Sequence, residues 1–312
     1  MWRVGHKVYG PILNKSRKKR TMHIKEVAST FLNAAVPVER LKLRLQAQDI
    51  LEKLDIKKSR SGLLKALKLK YFAGKDSSQK LDKGKVKGFL TLGLYLAPSD
   101  KSGKNLCTFS CLGCESACLD ESGHNLIEKR AGHNGIDVSR VVKSWLVEFR
   151  LDIAEKILAS EIESARKSAR KQGKAFAVRL NCTSDIAWES LIASFPGVQF
   201  YDYTKDPGRQ EMDNYHLTFS WGGFAKGRLA HYRQALARGQ KIAFPIVKAD
   251  VARVLALPGT QEMDSTDLRF LDGPEPYGIL AVKETGHTDK GIKEGFFLTF
   301  DAFQEAVKWI EG

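Results

Sequence analysis

Four of the five cysteines lie within twelve residues, at Cys107, Cys111, Cys114 and Cys118. Disulfides are a poor explanation for this run, because each bond would close a very short loop and residues 1–30 contain no apolar signal segment. Structural zinc sites usually separate two cysteine pairs by a longer spacer, whereas thiolates at short spacings are typical of loops that wrap an iron–sulfur cluster. The spacing therefore predicts that the four thiolates hold a [4Fe–4S] cluster. The alternatives are a zinc ion and a redox or structural cluster of thiols.

Other residues that could do chemistry give weaker signals. His124 and His133 are alternative metal ligands, although nearby glycines also fit a loop that covers the site, and His287 lies in a polar loop. Gly222–Gly223 before a helix could admit a phosphate to the backbone. For Cys182 we favour a small buried apolar side chain. The sequence contains no Ser/His/Asp order, P-loop or HExxH motif, so hydrolase and nucleoside triphosphatase activities have no support, and whether the chain is an enzyme stays open.

Basic residues are concentrated before the first cysteine. Residues 1–106 contain twenty-five Lys and Arg against eight Asp and Glu, whereas residues 107–312 contain twenty-six against twenty-eight. Such an excess attracts polyanions through phosphate contacts that release counterions, so nucleic acid is the expected partner of this region. The alternative is a charged surface that only keeps the protein soluble. Since no run of about eighteen apolar residues is present, we expect a cytoplasmic protein with no membrane association.

The elements that must position these residues follow from apolar periodicity and from Gly and Pro. Basic amphipathic helices are expected within residues 1–72, and Pro37 fits the first position of one of them. Residues 73–88 are polar and rich in Gly and Lys, which predicts a linker or mobile loop. In residues 89–312, short apolar strands alternate with helices. This pattern predicts an α/β domain with a mostly parallel, partial-barrel-like sheet.

Three elements of this domain bear on the site. The first strand, Phe89 to Leu96, directly precedes the cysteine run. One long helix is expected from about Ser139 to Lys171, because its apolar stripe is continuous. A last strand is expected at residues 295–299, followed by a closing helix.

Polar residues follow the ends of three predicted strands: Asn181 and Asp185, then Asp202 and Lys205, then Ser220. Right-handed crossovers bring the carboxyl ends of parallel strands to one edge of the sheet, where α/β proteins bind ligands. We therefore expect these five residues to bind a cofactor or substrate beside the cysteines. Ordinary structural interpretations compete with this one: Asp185 fits a helix N-cap, and Asp202 and Lys205 fit an exposed turn.

The spacing Cys107-x3-Cys111-x2-Cys114 resembles the three-cysteine motif of the radical S-adenosylmethionine superfamily. The resemblance implies a [4Fe–4S] cluster with one iron open to S-adenosylmethionine, carried by a loop after the first strand of a partial α/β barrel. Gly113 stands where that superfamily usually has an aromatic residue. Cys118 as a fourth ligand would close the cluster, which favours electron transfer or a structural role over radical chemistry.

Five segments resemble, in the same order, uncharacterised bacteriophage proteins of the gene product 88 family. They are Cys111 to Leu119, Arg179 to Ile186, Phe200 to Lys205, Tyr215 to Ser220 and Asp267 to Asp272. The resemblance implies a phage or mobile-element origin, a location in the host bacterial cytoplasm, and a cysteine-rich site with no assigned activity.

Site spacing, charge and resemblance together favour one function. We expect an iron–sulfur-cluster-binding protein that acts on nucleic acid or nucleotides, with chemistry like that of radical S-adenosylmethionine enzymes as one form of this activity. The alternative is a non-enzymatic nucleic-acid-binding protein in which the same cysteines hold a structural zinc ion.

Overall fold

The computed structural model describes residues 22–76, 78–118, 131–282 and 288–312. Within these residues, eight strands form one sheet in the order β1-β2-β3-β4-β5-β6-β8-β7. The strands are β1 (Ala73–Lys75), β2 (Phe89–Leu94), β3 (Ala175–Arg179), β4 (Gln199–Thr204), β5 (Tyr215–Ser220), β6 (Ile242–Ile246), β7 (Thr260–Glu262) and β8 (Tyr277–Ala281). β1 pairs antiparallel with β2, and the other neighbouring strands are parallel.

Helices precede the sheet and connect its strands. They are α1 (Ile24–Asn33), α2 (Pro37–Glu52), α3 (Arg60–Ala66), α4 (Gln79–Asp82), α5 (Leu112–Ser116), α6 (Gly135–Phe149), α7 (Leu151–Lys171), α8 (Glu189–Ala193), α9 (Leu229–Ala237), α10 (Val251–Leu255), α11 (Thr288–Lys293) and α12 (Phe300–Glu311). In the described part of the chain, no helix combines the length and apolar character needed to cross a membrane.

The expected α/β class with a mostly parallel sheet is confirmed. The sheet is open, with β1 and β7 at its edges, so its likeness to a barrel is limited to strand order. That order follows the chain from β1 to β6, and each strand from β3 to β6 is parallel to the one before it. The carboxyl ends of β2 to β6 and of β8 consequently meet along one edge.

The N-terminal helices share a core with the sheet. Phe31 on α1 packs edge-to-face on Trp145 of α6, with ring centroids 5.2 Å apart. The buried carboxylate of Glu161 on α7 accepts hydrogen bonds from the backbone N–H groups of Phe72 at 3.0 Å and Ala73 at 2.6 Å. Residues 73–88 contain β1, α4 and a 3-10 turn at Lys83–Lys87. The division of the chain at residues 72 and 88 stays a prediction.

The single helix expected from Ser139 to Lys171 is wrong, because the chain forms α6 and α7 with a break between them. Arg150 adopts φ −144° and ψ 61° at the break. Its guanidinium donates hydrogen bonds to the carbonyls of Leu51 at 3.2 Å and Leu54 at 2.9 Å, at the end of α2. The two helices bury one apolar stripe between them, so hydrophobic periodicity alone did not reveal the interruption.

The strand expected at residues 295–299 is also wrong. Gly295 has φ +67°, which takes the backbone out of the extended region at the start of this segment. Leu298 makes only an isolated parallel bridge to Ile246. The apolar run is instead explained by Phe296 and Phe297, whose side chains line the cavity described below.

Candidate metal centre and ligand cavity

A cavity of about 240 Å³ lies at the carboxyl edge of the sheet. The ends of β3, β4, β5, β6 and β8 form one side of it, and the cysteine loop forms another. Seven residues proposed from sequence are among those that line it: Cys107, Cys114, Cys118, Asn181, Asp185, Lys205 and Ser220. Strand order thus brings residues from distant parts of the sequence to one place, as the parallel topology predicted.

The four cysteines of the loop are half-buried, and none of them forms a disulfide bond within the described residues. Cys111 precedes α5, and its Sγ accepts a hydrogen bond from the backbone N–H of Cys114 at 3.3 Å. Burial raises the pKa of Cys107 to about 11 and that of Cys118 to about 12, and it also raises the pKa of Cys111. At pH 7 these three groups are therefore protonated thiols, and a metal would have to displace their protons to bind them.

Arg228, at the end of a 3-10 turn before α9, holds the cysteine loop in place. Its guanidinium donates hydrogen bonds to the carbonyls of Phe109 at 2.9 Å and Ser110 at 3.0 Å. A Cβ at Gly222 would lie only 2.4 Å from Arg228 Nη1, so the glycine leaves room for this arginine. The Gly222 N–H itself donates to the Tyr232 hydroxyl at 2.9 Å and is not free for a phosphate. Sequence reasoning missed Arg228, and the glycine pair before it was the available signal.

Gly113 has a steric role in the loop. A Cβ at this position would come within 2.5 Å of the Cβ of Phe296. The Phe296 ring lines the cavity beside the cysteines, so an aromatic group is supplied from a distant segment. The absence of an aromatic side chain at position 113 therefore follows from packing.

The cysteine loop contains side chains of the kind that bind metals, but their arrangement is not that of a metal site. Three thiols of the cysteine loop line one cavity, and thiolates are the preferred ligands of iron–sulfur clusters and of zinc. Among the residues that the structure describes, however, no three Cys, His, Asp or Glu side chains are grouped closely enough to hold a metal ion. The cysteines are therefore suitable ligands for a metal by their chemistry. Their thiols would have to move closer together to bind one.

Lys205 places a cation opposite the cysteines. Its Nζ lies 5.5 Å from the centre of the Phe296 ring. Burial alone would lower the pKa of Lys205, but ionised Cys114 and Cys111, together with the Asp185 carboxylate, raise it above the usual value for lysine. The side chain is thus charged when thiolates are present.

Asp185 is part of the scaffold of the site. Its carboxylate accepts from the Lys205 backbone N–H at 2.7 Å and from the Thr204 hydroxyl at 2.9 Å, and it forms an ion pair with Arg209 at 3.0 Å. Arg209 also pairs with Glu189 at 2.6 Å. Asp185 does not cap a helix, since α8 begins only at Glu189.

Asp202 lies beneath the cavity wall. It is 1% exposed and accepts hydrogen bonds from the backbone N–H of Asn181 at 2.7 Å and from the Tyr215 hydroxyl at 3.1 Å. Burial raises the pKa of Asp202 to about 6, although Arg209 and Arg179 oppose the shift. Asn181 is occupied too, because its amide donates to Ile186 O at 3.0 Å.

The histidines contribute little to the described site. His124 and His287 lie outside the described residues. His133 is exposed and is not part of the cavity wall. Cys182 is buried, 9% exposed, and also lines the cavity. Binding roles for the proposed cysteines and strand-end residues stay predictions.

An open, mostly parallel α/β sheet with a cysteine loop and a cavity at its carboxyl edge defines the structural class of this protein. A family model described as gene product 88 matches residues 65–298, so the chain belongs to this bacteriophage family. A search of curated proteins and a search of solved structures found no match. The resemblance to the radical S-adenosylmethionine superfamily gains no support from these comparisons.

Proposed function

We propose that this protein binds an iron–sulfur cluster through Cys107, Cys111, Cys114 and Cys118. The observation that carries the proposal is the position of Cys107, Cys114 and Cys118 on the wall of one cavity at the ligand-binding edge of the sheet. Cys111 is one turn of chain away, beside Cys114. A bound cluster would supply electron transfer or, with one iron open, a place for a ligand to bind.

Basic side chains near the loop support a negatively charged group. Lys205 and Arg228 act electrostatically on Cys111, and Arg140 acts on Cys118, each in the direction that favours a thiolate. Four thiolates around a cluster leave excess negative charge, and nearby cations stabilise it. The loop also sits on apolar walls that limit solvent access, which is a further influence on cluster stability and potential.

Anaerobic purification of the full chain tests the proposal. We expect a brown protein that absorbs near ~400 nm and contains iron and sulfide. Cys107→Ser and Cys114→Ser should abolish the colour and the iron, whereas Cys182→Ala should retain both. A colourless wild-type protein with stoichiometric zinc would overturn the proposal.

Cys118 decides between two forms of the cluster. If it is the fourth ligand, Cys118→Ser should lose most of the iron, and the reduced wild-type protein should leave S-adenosylmethionine intact. If the cluster has an open iron, the variant should retain its iron, and the reduced protein should cleave S-adenosylmethionine. Either result identifies the coordination of the cluster once iron has been found.

A second candidate function is nucleic-acid binding with a structural zinc ion. It is favoured by the excess of basic residues in residues 1–106 and by exposed lysines on α2 and the segments after it, at Lys42, Lys53, Lys57, Lys58, Lys65 and Lys68. Fluorescence anisotropy with single- and double-stranded DNA and RNA at rising salt measures this activity. Binding that weakens steeply with salt supports it, and absence of binding at low salt contradicts it.

A further inference from the structure

Most polar side chains around the cavity are used within the protein, but three on its wall remain open. The Asp185 carboxylate and the Asn181 amide already make the hydrogen bonds within the protein that are given above. In contrast, the Lys205 ammonium and the Ser220 hydroxyl make no hydrogen bond to any residue that the structure describes. The Tyr203 hydroxyl is buried, and it too has no partner within the described ranges.

The three open groups are neighbours on the sheet. Tyr203 and Lys205 are two residues apart at the end of β4, so their side chains project from the same face. The register pairs Thr204 of β4 with Phe219 of β5, which makes Lys205 and Ser220 adjacent at the carboxyl edge. All three open residues line the same cavity.

The remaining wall is largely apolar, and it includes the aromatic residues Phe296 and Phe297. The Phe296 ring centre lies 5.5 Å from Lys205 Nζ. Trp221 is fully buried: its indole N–H donates to the Gly295 carbonyl at 2.9 Å, and its ring stacks on that of Tyr232, so it supports the wall from behind.

Asp264, a carboxylate on the β8 side, accepts from the Ala281 backbone N–H at 2.6 Å. Two cationic residues line the cavity, Arg179 and Lys205. Arg179 is paired with Asp267 at 2.8 Å, which leaves Lys205 as the cation for a ligand on this part of the wall.

We infer that the cavity binds a small organic carboxylate, with the carboxylate held by Lys205 and Ser220 and the apolar body packed against Phe296 and Phe297. One cation and one hydroxyl suit a monoanion. Phosphate sites usually add several backbone N–H groups or an arginine cluster, and the Gly222 N–H at this edge is already occupied. The carboxylate site lies in the same cavity as the proposed cluster. It is formed by residues at the ends of β4 and β5, whereas the cluster would be held by the cysteine loop.

Calorimetry on the full chain with 3-phenylpropionate as the probe tests the inference. The matched neutral compound is 3-phenylpropionamide, and inorganic phosphate is the second control. We expect the carboxylate to bind at least about tenfold more tightly than the amide, because a hydrogen bond to a charged group contributes more than a neutral one. Phosphate should compete weakly, since it has no apolar body.

Variants locate the binding site. Lys205→Met should weaken binding of the carboxylate by about tenfold or more, and Ser220→Ala by a smaller factor. Lys205→Arg retains the charge and should retain binding, which separates loss of charge from loss of fold. The matched control is Lys171→Met, at the exposed last residue of α7, and this variant should bind like the wild type.

Three results would overturn the inference: no binding of the carboxylate up to about 10 mM, equal affinity for carboxylate and amide, or an unchanged affinity in Lys205→Met. Iron and sulfide are measured in the same samples. Carboxylate binding without iron would contradict only the proposed cluster, and iron without carboxylate binding would contradict only the anion site.

Discussion

Arg228 and Gly113 show what single residues contribute to the site beyond the cysteines themselves. The four cysteines and the strand-end residues could be selected from sequence because their types and spacing suggest chemistry. Arg228 could not, since its role depends on reaching the carbonyls of Phe109 and Ser110, more than a hundred residues away. From sequence, Gly113 was notable only because it departs from the radical S-adenosylmethionine motif. The structure explains the glycine, because Phe296 leaves no room for a side chain at this position.

Replacing Gly113 with Ala should destabilise the cysteine loop. The new Cβ would approach Phe296 Cβ to 2.5 Å, so the loop or the ring must move. We expect the free energy of unfolding to fall by about 1–3 kcal/mol. Gly135→Ala is the matched control, because a Cβ at this helical position meets no atom within 4 Å. Urea denaturation of both variants measures the difference, and equal stabilities would contradict the steric role.

Asp202 should give a pH dependence of stability. Its folded-state pKa of about 6 exceeds its usual value of 3.8, so between these pH values the folded state holds a proton that the unfolded state has lost. The contribution of Asp202 to the free energy of unfolding is therefore fully present below about pH 4 and is lost as the pH rises through 6. The loss is on the order of 2–3 kcal/mol at most.

Denaturation of wild type and Asp202→Asn from pH 4 to pH 7 measures this contribution. The stability of the wild type should fall relative to that of the variant as the pH rises, because asparagine does not titrate. Asp49→Asn, on the exposed side of α2, is the control substitution. A constant difference between wild type and Asp202→Asn across this range would show that Asp202 titrates equally in both states.

At the level of elements, the succession of strands and helices was predictable from apolar runs and turn residues. The interruption at Arg150 and the loss of the last strand were not. Both depend on contacts from elsewhere: the guanidinium of Arg150 with the end of α2, and the Phe296–Phe297 pair with the cavity. Local periodicity reports which face is buried, and it does not report where a distant element ends a helix or replaces a strand.

Glu161 joins two elements that sequence analysis assigned to different regions. Glu161→Ala would leave the buried N–H groups of Phe72 and Ala73 without their acceptor, and we expect a loss of about 3 kcal/mol in the free energy of unfolding. Glu163→Ala removes an exposed pair with Arg166 on the same helix and should cost less than about 0.5 kcal/mol. Chemical denaturation compares the two, and similar losses would show that the buried contact contributes little.

For the whole molecule, composition and order of elements predicted the α/β class, the parallel sheet and the edge that carries the cavity. That the sheet stays open, and that the N-terminal helices pack into its core through Phe31 and Trp145, required the structure. These features depend on shape complementarity between surfaces far apart in sequence. Charge asymmetry gave no information about them.

Binding of a metal should be coupled to the release of protons from the cysteine thiols. Burial raises the pKa of Cys107 to about 11 and of Cys118 to about 12, so each loses a proton when it binds a metal at pH 7. We expect affinity for added zinc to increase with pH between 6 and 8, with close to one proton released per bound thiol. Calorimetry in buffers of different ionisation enthalpy counts these protons. Cys107→Ser should release about one fewer, and an unchanged count would exclude Cys107 as a ligand.

The packing of Gly113 on Phe296 has a consequence for the order of events during synthesis. The cysteine loop leaves the ribosome long before Phe296 and Arg228, the two residues that hold it in place. The loop cannot reach its final shape until most of the chain has been translated. If the cysteines need this final shape to bind a metal, we expect loading to follow synthesis of most of the chain.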